Sequence, residues 1–252
     1  MNKDTSNKAE VVQWYSRQRK LYGAEKVLLD KLSDKLPGAV FLDIGIGGGR
    51  TTFHIAAKVK EYVGVDYAEE MVKVSSTEFA AANTSFYAMD ARNMQQLESS
   101  RFDIILFSFN GIDYIDLDGR QLVMKEVNRI LKPGGTFLVS THNTGKLASL
   151  YSYAYVKHPW AWLKKIKTTF KLRKVNGPME QFANKDFFII KDGAEDFGLD
   201  VAYIQPGFFV DQMNKNGFTL DCILQYNTGA EIKLEDINRN TDPWIYYSFS
   251  KR

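Results

Sequence analysis

The chain is poor in several things, and each shortage excludes a class of protein. It holds one cysteine, Cys222, so neither an internal disulfide nor a cysteine-built zinc site can form. No stretch approaches the roughly 20 apolar residues that span a bilayer. The first ten residues are polar and lack the apolar core of a signal peptide. No repeat at a period of roughly 20–50 residues is present. Net charge is scarce as well: 33 basic against 30 acidic residues leave +3, too little to imply a nucleic-acid binder. A reducing cytoplasm is the expected location. What is present is ordinary for a globular chain, with 44% hydrophobic and 25% charged residues. That composition rules out a disordered, collagen-like or low-complexity protein. A length of 252 residues suits one generous domain carrying an insertion.

Between residues 40 and 141, short β-rich runs alternate with helical stretches. Strands are expected at 40–44, 62–66, 85–89, 102–107 and 136–140, and helices at 50–59 and 69–82. A further helix is expected with Leu122, Val123, Val127, Ile130 and Leu131 on one side, broken by Lys132-Pro133-Gly134-Gly135. The run Phe102 to Phe107 is apolar apart from Asp103, as in a strand covered on both faces. Alternation of this kind predicts a parallel sheet with helices on both sides. Residues 8–36 read as a helical segment in two pieces, and 206–216 as a helix. The runs 218–226 and 244–250 read as two last strands pairing antiparallel at the sheet edge.

Asp43-Ile44-Gly45-Ile46-Gly47-Gly48-Gly49 follows the first strand and opens a helix. Glycines there permit positive φ and let a ligand approach the backbone, at the strand end where open α/β sheets bind ligands. A dinucleotide fingerprint would need glycine where Arg50 stands, and a phosphate loop would need lysine before Thr51. Asp66 ends the second strand, 23 residues after Asp43, where a carboxylate can accept both hydroxyls of a ribose. Asp90 ends the third, where it could accept from an adenine amine or cap the next helix.

In motif order the sequence resembles the class I S-adenosylmethionine-dependent methyltransferases. Asp43, Gly45, Gly47 and Gly49 match the Asp-x-Gly-x-Gly-x-Gly motif, and Val65-Asp66-Tyr67 the ribose acid. Asp90-Ala91, Phe102-Asp103-Ile104-Ile105 and the approach Arg129 to Gly135 follow in order, together about 100 of 252 residues. The resemblance implies a Rossmann-like, doubly wound, mostly parallel seven-stranded sheet with an antiparallel edge strand. An N-terminal helical lid at 8–36, a cofactor core at 40–143, an insertion at 144–204 and a C-terminal part at 205–252 complete the expected layout. It implies S-adenosylmethionine as cofactor. Gly45 and its neighbours would face methionine and ribose, Asp66 would hold the ribose, and Tyr67 and Met71 would flank adenine. Asp90 and Ala91 would read the adenine edge, Ser108 and Phe109 would lie under the methionine part, and Tyr15 and Tyr22 would belong to the lid.

Methyl transfer from a sulfonium is an in-line displacement that needs no metal and depends mainly on positioning, worth about 7–11 kcal/mol in well-aligned cases. A general base adds roughly 10²–10⁴-fold where the acceptor loses a proton. His142 is the candidate base, because histidine titrates near neutrality. Asn110, Asp113, Tyr114 and Asn143, after strands four and five, are the candidate acceptor contacts. By resemblance, Ser108-Phe109-Asn110-Gly111 lacks the Pro-Pro-aromatic step of amino-methylating nucleic-acid enzymes, which favours a small, sugar-linked or lipid-linked acceptor. The alternatives are a nicotinamide-dependent oxidoreductase, or a non-catalytic cofactor-binding domain recruited to anionic surfaces.

The segment 144–177 holds eight basic residues and no acid, so the remaining 25 basic and 30 acidic residues carry −5. Tyr151, Tyr153, Tyr155, Trp160, Trp162 and Phe170 lie among them. Lysines with interfacial aromatics suit an anionic lipid or anionic substrate, and hence a membrane-peripheral location. Nucleic acid suits them less well, and a solvated cap closing the acceptor pocket is the plain alternative. A further β-rich addition at 186–204 is expected to turn as a hairpin at Asp192-Gly193.

Overall fold

In the computed structural model, which describes residues 2–154 and 156–252 with side chains from residue 4 onward, the alternation resolves into one large sheet and a small one. Tyr155 of the aromatic series lies outside the described residues. The chain begins with α1 (Asn2–Ser6), α2 (Ala9–Ser16) and α3 (Gly23–Lys31). β1 (Val40–Ile44) leads through the glycine loop to α4 (Thr52–Ile55), then to β2 (Glu61–Asp66), α5 (Glu69–Glu78) and β3 (Thr84–Ala88). β4 (Phe102–Phe107), α6 (Leu117–Ile130) and β5 (Leu131–His142) follow. After β5 come α7 (Leu147–Leu150), α8 (Pro159–Asn176), β6 (Phe187–Ile190) and β7 (Val201–Ile204). α9 (Pro206–Lys215), β8 (Phe218–Gln225) and β9 (Trp244–Lys251) end the chain.

The seven-stranded sheet has the order β3-β2-β1-β4-β5-β9-β8. β1 to β5 pair in parallel, and β9 runs against both β5 and β8. The reversed strand thus lies one place in from the rim that β8 occupies. β1, β2 and β4 are buried almost throughout because helices cover both faces of the sheet. Alternate residues divide between the faces. Leu42, Val63 and Ile105 join Val127 and Phe209 on one side, while Phe41, Tyr62 and Ile104 join Leu28 and Tyr246 on the other.

Three expectations need correction. The inward stripe of α6 is Val123, Met124, Val127 and Ile130, whereas Leu122 is 48% exposed and Leu131 already belongs to β5. The helix expected at 50–59 shrinks to Thr52–Ile55 and a 3-10 turn at Ala56–Lys58. The segment 186–204 does form an antiparallel pair, but the link between β6 and β7 is a long loop rather than a tight turn at Asp192-Gly193. Asp192 instead accepts a bond from the Ala194 amide at 3.0 Å and from the Tyr203 hydroxyl at 2.8 Å. A carboxylate engaged with the backbone two residues on starts an Asx turn, which bends the loop before any hairpin can close.

Candidate active site

The chain leaves β1 in one direction to lay down β2 and β3, then returns across β1 to lay down β4 and β5. Ligands of open α/β sheets bind at such a reversal, outside the strands' carboxyl ends. The glycine loop hangs there from three anchors. The amides of Gly45 and Ile46 donate to the Val65 carbonyl at 2.8 and 3.2 Å, and the Ser75 hydroxyl donates to the Gly47 carbonyl at 2.9 Å. The Gly47 amide donates to Asp66 Oδ2 at 2.9 Å. Gly47 holds φ +53° and Gly49 φ +80°, the left-handed backbone that glycine adopts without a Cβ penalty.

Asp66 and Asp43 end neighbouring strands but face different surroundings. Asp66 lines the cavity; it also accepts from the Ala68 amide at 2.9 Å, and burial pushes its carboxyl up to about 6. Asp43 does not reach the cavity. Its Oδ2 accepts from the Thr51 hydroxyl and, at 2.7 Å, from the Tyr62 hydroxyl, and burial raises it likewise to about 6. Its place is under the loop, tying strand to helix.

A cavity of about 480 Å³ opens over this crevice. Gly45, Gly47, Asp66, Tyr67, Met71, Asp90, Ala91, Ser108, Phe109 and Tyr15 line it, while Asp43, Gly49 and Tyr22 do not. The Tyr67 hydroxyl meets Ser6 Oγ at 2.7 Å, so α1 closes over that end. Asp90 is held by Arg92, with Oδ2 2.6 Å from Nη2, so an adenine amine would share an engaged carboxylate. Tyr22 stacks on Phe109 at 5.8 Å between ring centroids and meets Trp244 edge-on at 5.2 Å, behind the wall rather than in it.

A second cavity of about 360 Å³ adjoins the first, sharing Tyr15, Phe109, Tyr114, Glu195 and Leu199. Tyr15 and Tyr114 both belong to the shared wall, and burial pushes the Tyr15 phenol up to about 12. His142, Asn110 and Tyr114 line this space. His142 Nδ1 lies 2.8 Å from Asp113 Oδ2, which also accepts the His142 backbone amide at 2.5 Å. A carboxylate partner fixes the proton on Nδ1 and leaves the Nε2 lone pair directed away from it. The Asn110 side-chain nitrogen stands 3.5 Å from Nε2, and its buried Oδ1 has no partner among the described residues.

Two candidate acceptor contacts are placed elsewhere. Asp113 is 1% exposed and ion-paired with Arg120, itself wholly buried, so it holds His142 and does not meet a ligand. Asn143 is 1% exposed, caps Gly145 at 2.8 Å and donates to the Asn240 carbonyl at 2.7 Å. His54 bonds the Arg19 carbonyl at 2.5 Å and serves α4. Sequence reasoning passed over Trp14, Tyr203 and Trp244, which wall the second cavity. Trp244 sits opposite His142 in the β5–β9 register, a relation visible only once that register is known. The buried pair Glu25–Arg50 was also missed. Arg50 reaches both Glu25 oxygens, at 2.6 and 2.7 Å, and Glu25 accepts from Ser108 Oγ, so α3 is fastened to the loop and to the end of β4. Among the described residues no group of acids, histidines and cysteine could hold a metal.

Residues 41–135 match the family described as a methyltransferase domain. The uncharacterized methyltransferase YcgJ of Bacillus subtilis is 31% identical over 139 residues, covering 51% of this chain and 53% of that protein. The chain thus spans about half the length of that relative. Demethylmenaquinone methyltransferase of Lactococcus lactis is 26% identical over 199 residues, covering 72% of this chain and 70% of the relative. Among solved structures, an S-adenosylmethionine-dependent methyltransferase from Mesorhizobium loti superposes with a TM-score of 0.65 at 15% identity, over 90% of this chain and 98% of its own. The Burkholderia thailandensis 1,6-didemethyltoxoflavin-N1-methyltransferase, with bound 1,6-didemethyltoxoflavin and S-adenosylhomocysteine, gives a TM-score of 0.62 at 13% identity, over 99% and 86%. At such identities the likeness is one of fold.

Proposed function

We propose that the chain is a class I S-adenosylmethionine-dependent methyltransferase and that it methylates a small molecule seated in the second cavity, on a nucleophile that sheds a proton. The observation supporting this reading is the adjacency of two spaces, one walled by Asp66 and the glycine loop and the other by His142, divided by three aromatic side chains. The residues of the first space fit the cofactor. A Cβ on Gly45 would come 3.2 Å from the Phe107 ring, narrowing a cradle that only glycine leaves open. Asp66 would hold the ribose hydroxyls, Tyr67 and Met71 the adenine faces, Asp90 and Ala91 its edge, and Ser108 and Phe109 the methionine end. When bound, S-adenosylmethionine supplies a methyl group on a cationic sulfur that departs as a neutral thioether.

The chain's own contribution is positioning and the uptake of one proton. Trp14, Phe109, Tyr203 and Trp244 give the acceptor space aromatic walls against which a ring can pack. His142 Nε2 accepts the acceptor's proton, and the buried Asp113 carboxylate stabilises the imidazolium that results. Asn110, which lines the same space with its side-chain nitrogen 3.5 Å from Nε2, contacts the acceptor there. The cavity suits a compact, largely apolar molecule with a ring to stack.

Calorimetry with S-adenosylmethionine and with NAD tests the cofactor. The sulfonium is expected to bind and NAD to give no heat; the reverse result would establish the oxidoreductase alternative. Asp66→Ala is expected to weaken binding strongly, and an unchanged affinity refutes the ribose contact. With an acceptor in hand, His142→Gln is expected to lower kcat by about 10²–10⁴-fold while cofactor affinity holds. Undiminished turnover would leave positioning alone as the source of catalysis.

A further inference from the structure

The cap after β5 displays on its outer side something a solvated helix does not need. In α8, residues 160, 163, 164, 167, 170, 171 and 174 recur at helical spacing and share one face. That face carries Trp160, 83% exposed, Phe170, 65% exposed, and Leu163, interleaved with lysines. The opposite face holds Thr169 and Leu172, buried against the cap. Lys171 pairs with Asp196, but Lys164, Lys167 and Lys174 have no acidic partner among the described residues. Single exposed apolar residues are common on protein surfaces; a tryptophan and a phenylalanine set into a row of unpaired lysines are not.

Beyond the methyl-transfer reading, we infer that this face of α8 docks on an anionic membrane surface, with its lysines at the headgroups and Trp160, Phe170 and Leu163 in the interfacial layer. The charge of the segment is complementary to such a surface: eight basic residues in 144–177 and no acid, against −5 on the rest of the chain. A field of that polarity also orients the molecule, since the remainder is repelled by the surface that attracts the helix. Tryptophan is a residue of membrane–water interfaces, and lysines on the same face reach the anionic headgroups. Nucleic acid would use the charges but, as a duplex, has no layer to receive the exposed rings. Among the described residues no helix is long and apolar enough to cross a membrane. The same cap contributes Lys146, Leu150, Val201 and Tyr203 to the acceptor cavity. Docking therefore brings the element bearing that wall to the lipid.

Sedimentation with phosphatidylcholine vesicles, with and without phosphatidylglycerol, tests the inference. The chain is expected to pellet with the anionic vesicles, to remain in solution with the neutral ones, and to be released by salt. A triple variant, Lys164→Gln, Lys167→Gln and Lys174→Gln, is expected to lose about 100-fold in partition, at roughly fivefold per charge near the surface. A double variant, Trp160→Ala and Phe170→Ala, is expected to lose about tenfold while keeping the salt dependence. Both variants should bind S-adenosylhomocysteine as the parent does, which separates lost docking from lost folding. Partition is read without turnover, so it stands or falls apart from the proposed reaction. Equal sedimentation with both vesicle types, or wild-type partition by either variant, overturns the inference. So does tighter binding to a DNA or RNA duplex that is indifferent to the aromatic substitutions.

Discussion

Asp43 and Asp66 are both buried, both raised to about 6, and differ in what they touch. Desolvation dominates each shift, and donated hydrogen bonds oppose it without cancelling it. The sign of the pH effect follows. A carboxylate whose folded pKa exceeds its unfolded one binds its proton more tightly when folded, so its contribution is full below the unfolded range and is lost as pH rises through about 6. Asp43 thus costs stability at neutral pH, and its role as an anchor can be separated from its charge. Both donors, from Thr51 and Tyr62, converge on Oδ2, so the side-chain amide introduced by Asp43→Asn retains an oxygen for them. The substitution is expected to stabilise the fold at pH 8 by up to about 3 kcal/mol and to bring no gain near pH 4. Urea midpoints across that range check this, and a gain that does not change with pH would sink the desolvation account. Asp113 illustrates the limit of reading residues one at a time. Its position after β4 suggested a ligand contact, but Arg120, seven residues on and one helical turn into α6, claims it, and His142 takes its other side.

Among the elements, the buried strands ending in acids were legible because burial on both faces leaves an apolar run with a polar stop, as in Tyr62–Val65 before Asp66. The glycine loop was legible for a related reason: glycines follow a strand in a row only where the backbone bends out of the ordinary region or is approached closely. Partnerships across the chain were not legible. Nothing in the sequence pairs Glu25 with Arg50, and only the packing of α3 on the sheet makes them a buried pair. The 186–204 hairpin was misread because Asp-Gly also begins loops when the aspartate caps its own backbone. Glycine positions still differ in strictness. A Cβ at Gly49 would lie 2.1 Å from the Phe79 ring, on a backbone at φ +80°, whereas one at Gly134, φ +71°, meets nothing within 4 Å. Gly134→Ala is therefore expected to cost about 1 kcal/mol. Gly49→Ala adds overpacking of about 1–3 kcal/mol and should weaken cofactor binding by displacing the loop. Denaturation and calorimetry on the two variants check the contrast; equal losses would show that backbone conformation alone sets the requirement.

At the scale of the whole molecule, the apolar interior is divided. Two clusters flank the seven-stranded sheet, and a third, built on Leu147, Tyr151, Leu172, Phe188, Leu199 and Tyr203, belongs to the cap and its own pair of strands. A two-stranded sheet resting on a small core opens at lower free energy than a central sheet buried on both faces. The cap is nonetheless part of the site, because Glu195 and Leu199 line both cavities. Glu195, Asp196 and Phe197 hold positive φ, which strains the loop at the place where it meets the ligand space. Ligand binding and cap closure must then be linked: whatever fills the first cavity adds contacts that the open cap lacks. Hydrogen exchange is expected to show β6, β7 and α8 exchanging well before β1, β2 and β4 in the free protein. Adding S-adenosylhomocysteine at 100 times its Kd stabilises the binding-competent state by about 2.7 kcal/mol, and exchange in the cap should slow by about 100-fold where cap opening abolishes binding. Protection confined to the glycine loop and β2, with an unaltered cap, would show that the cofactor site is complete without it.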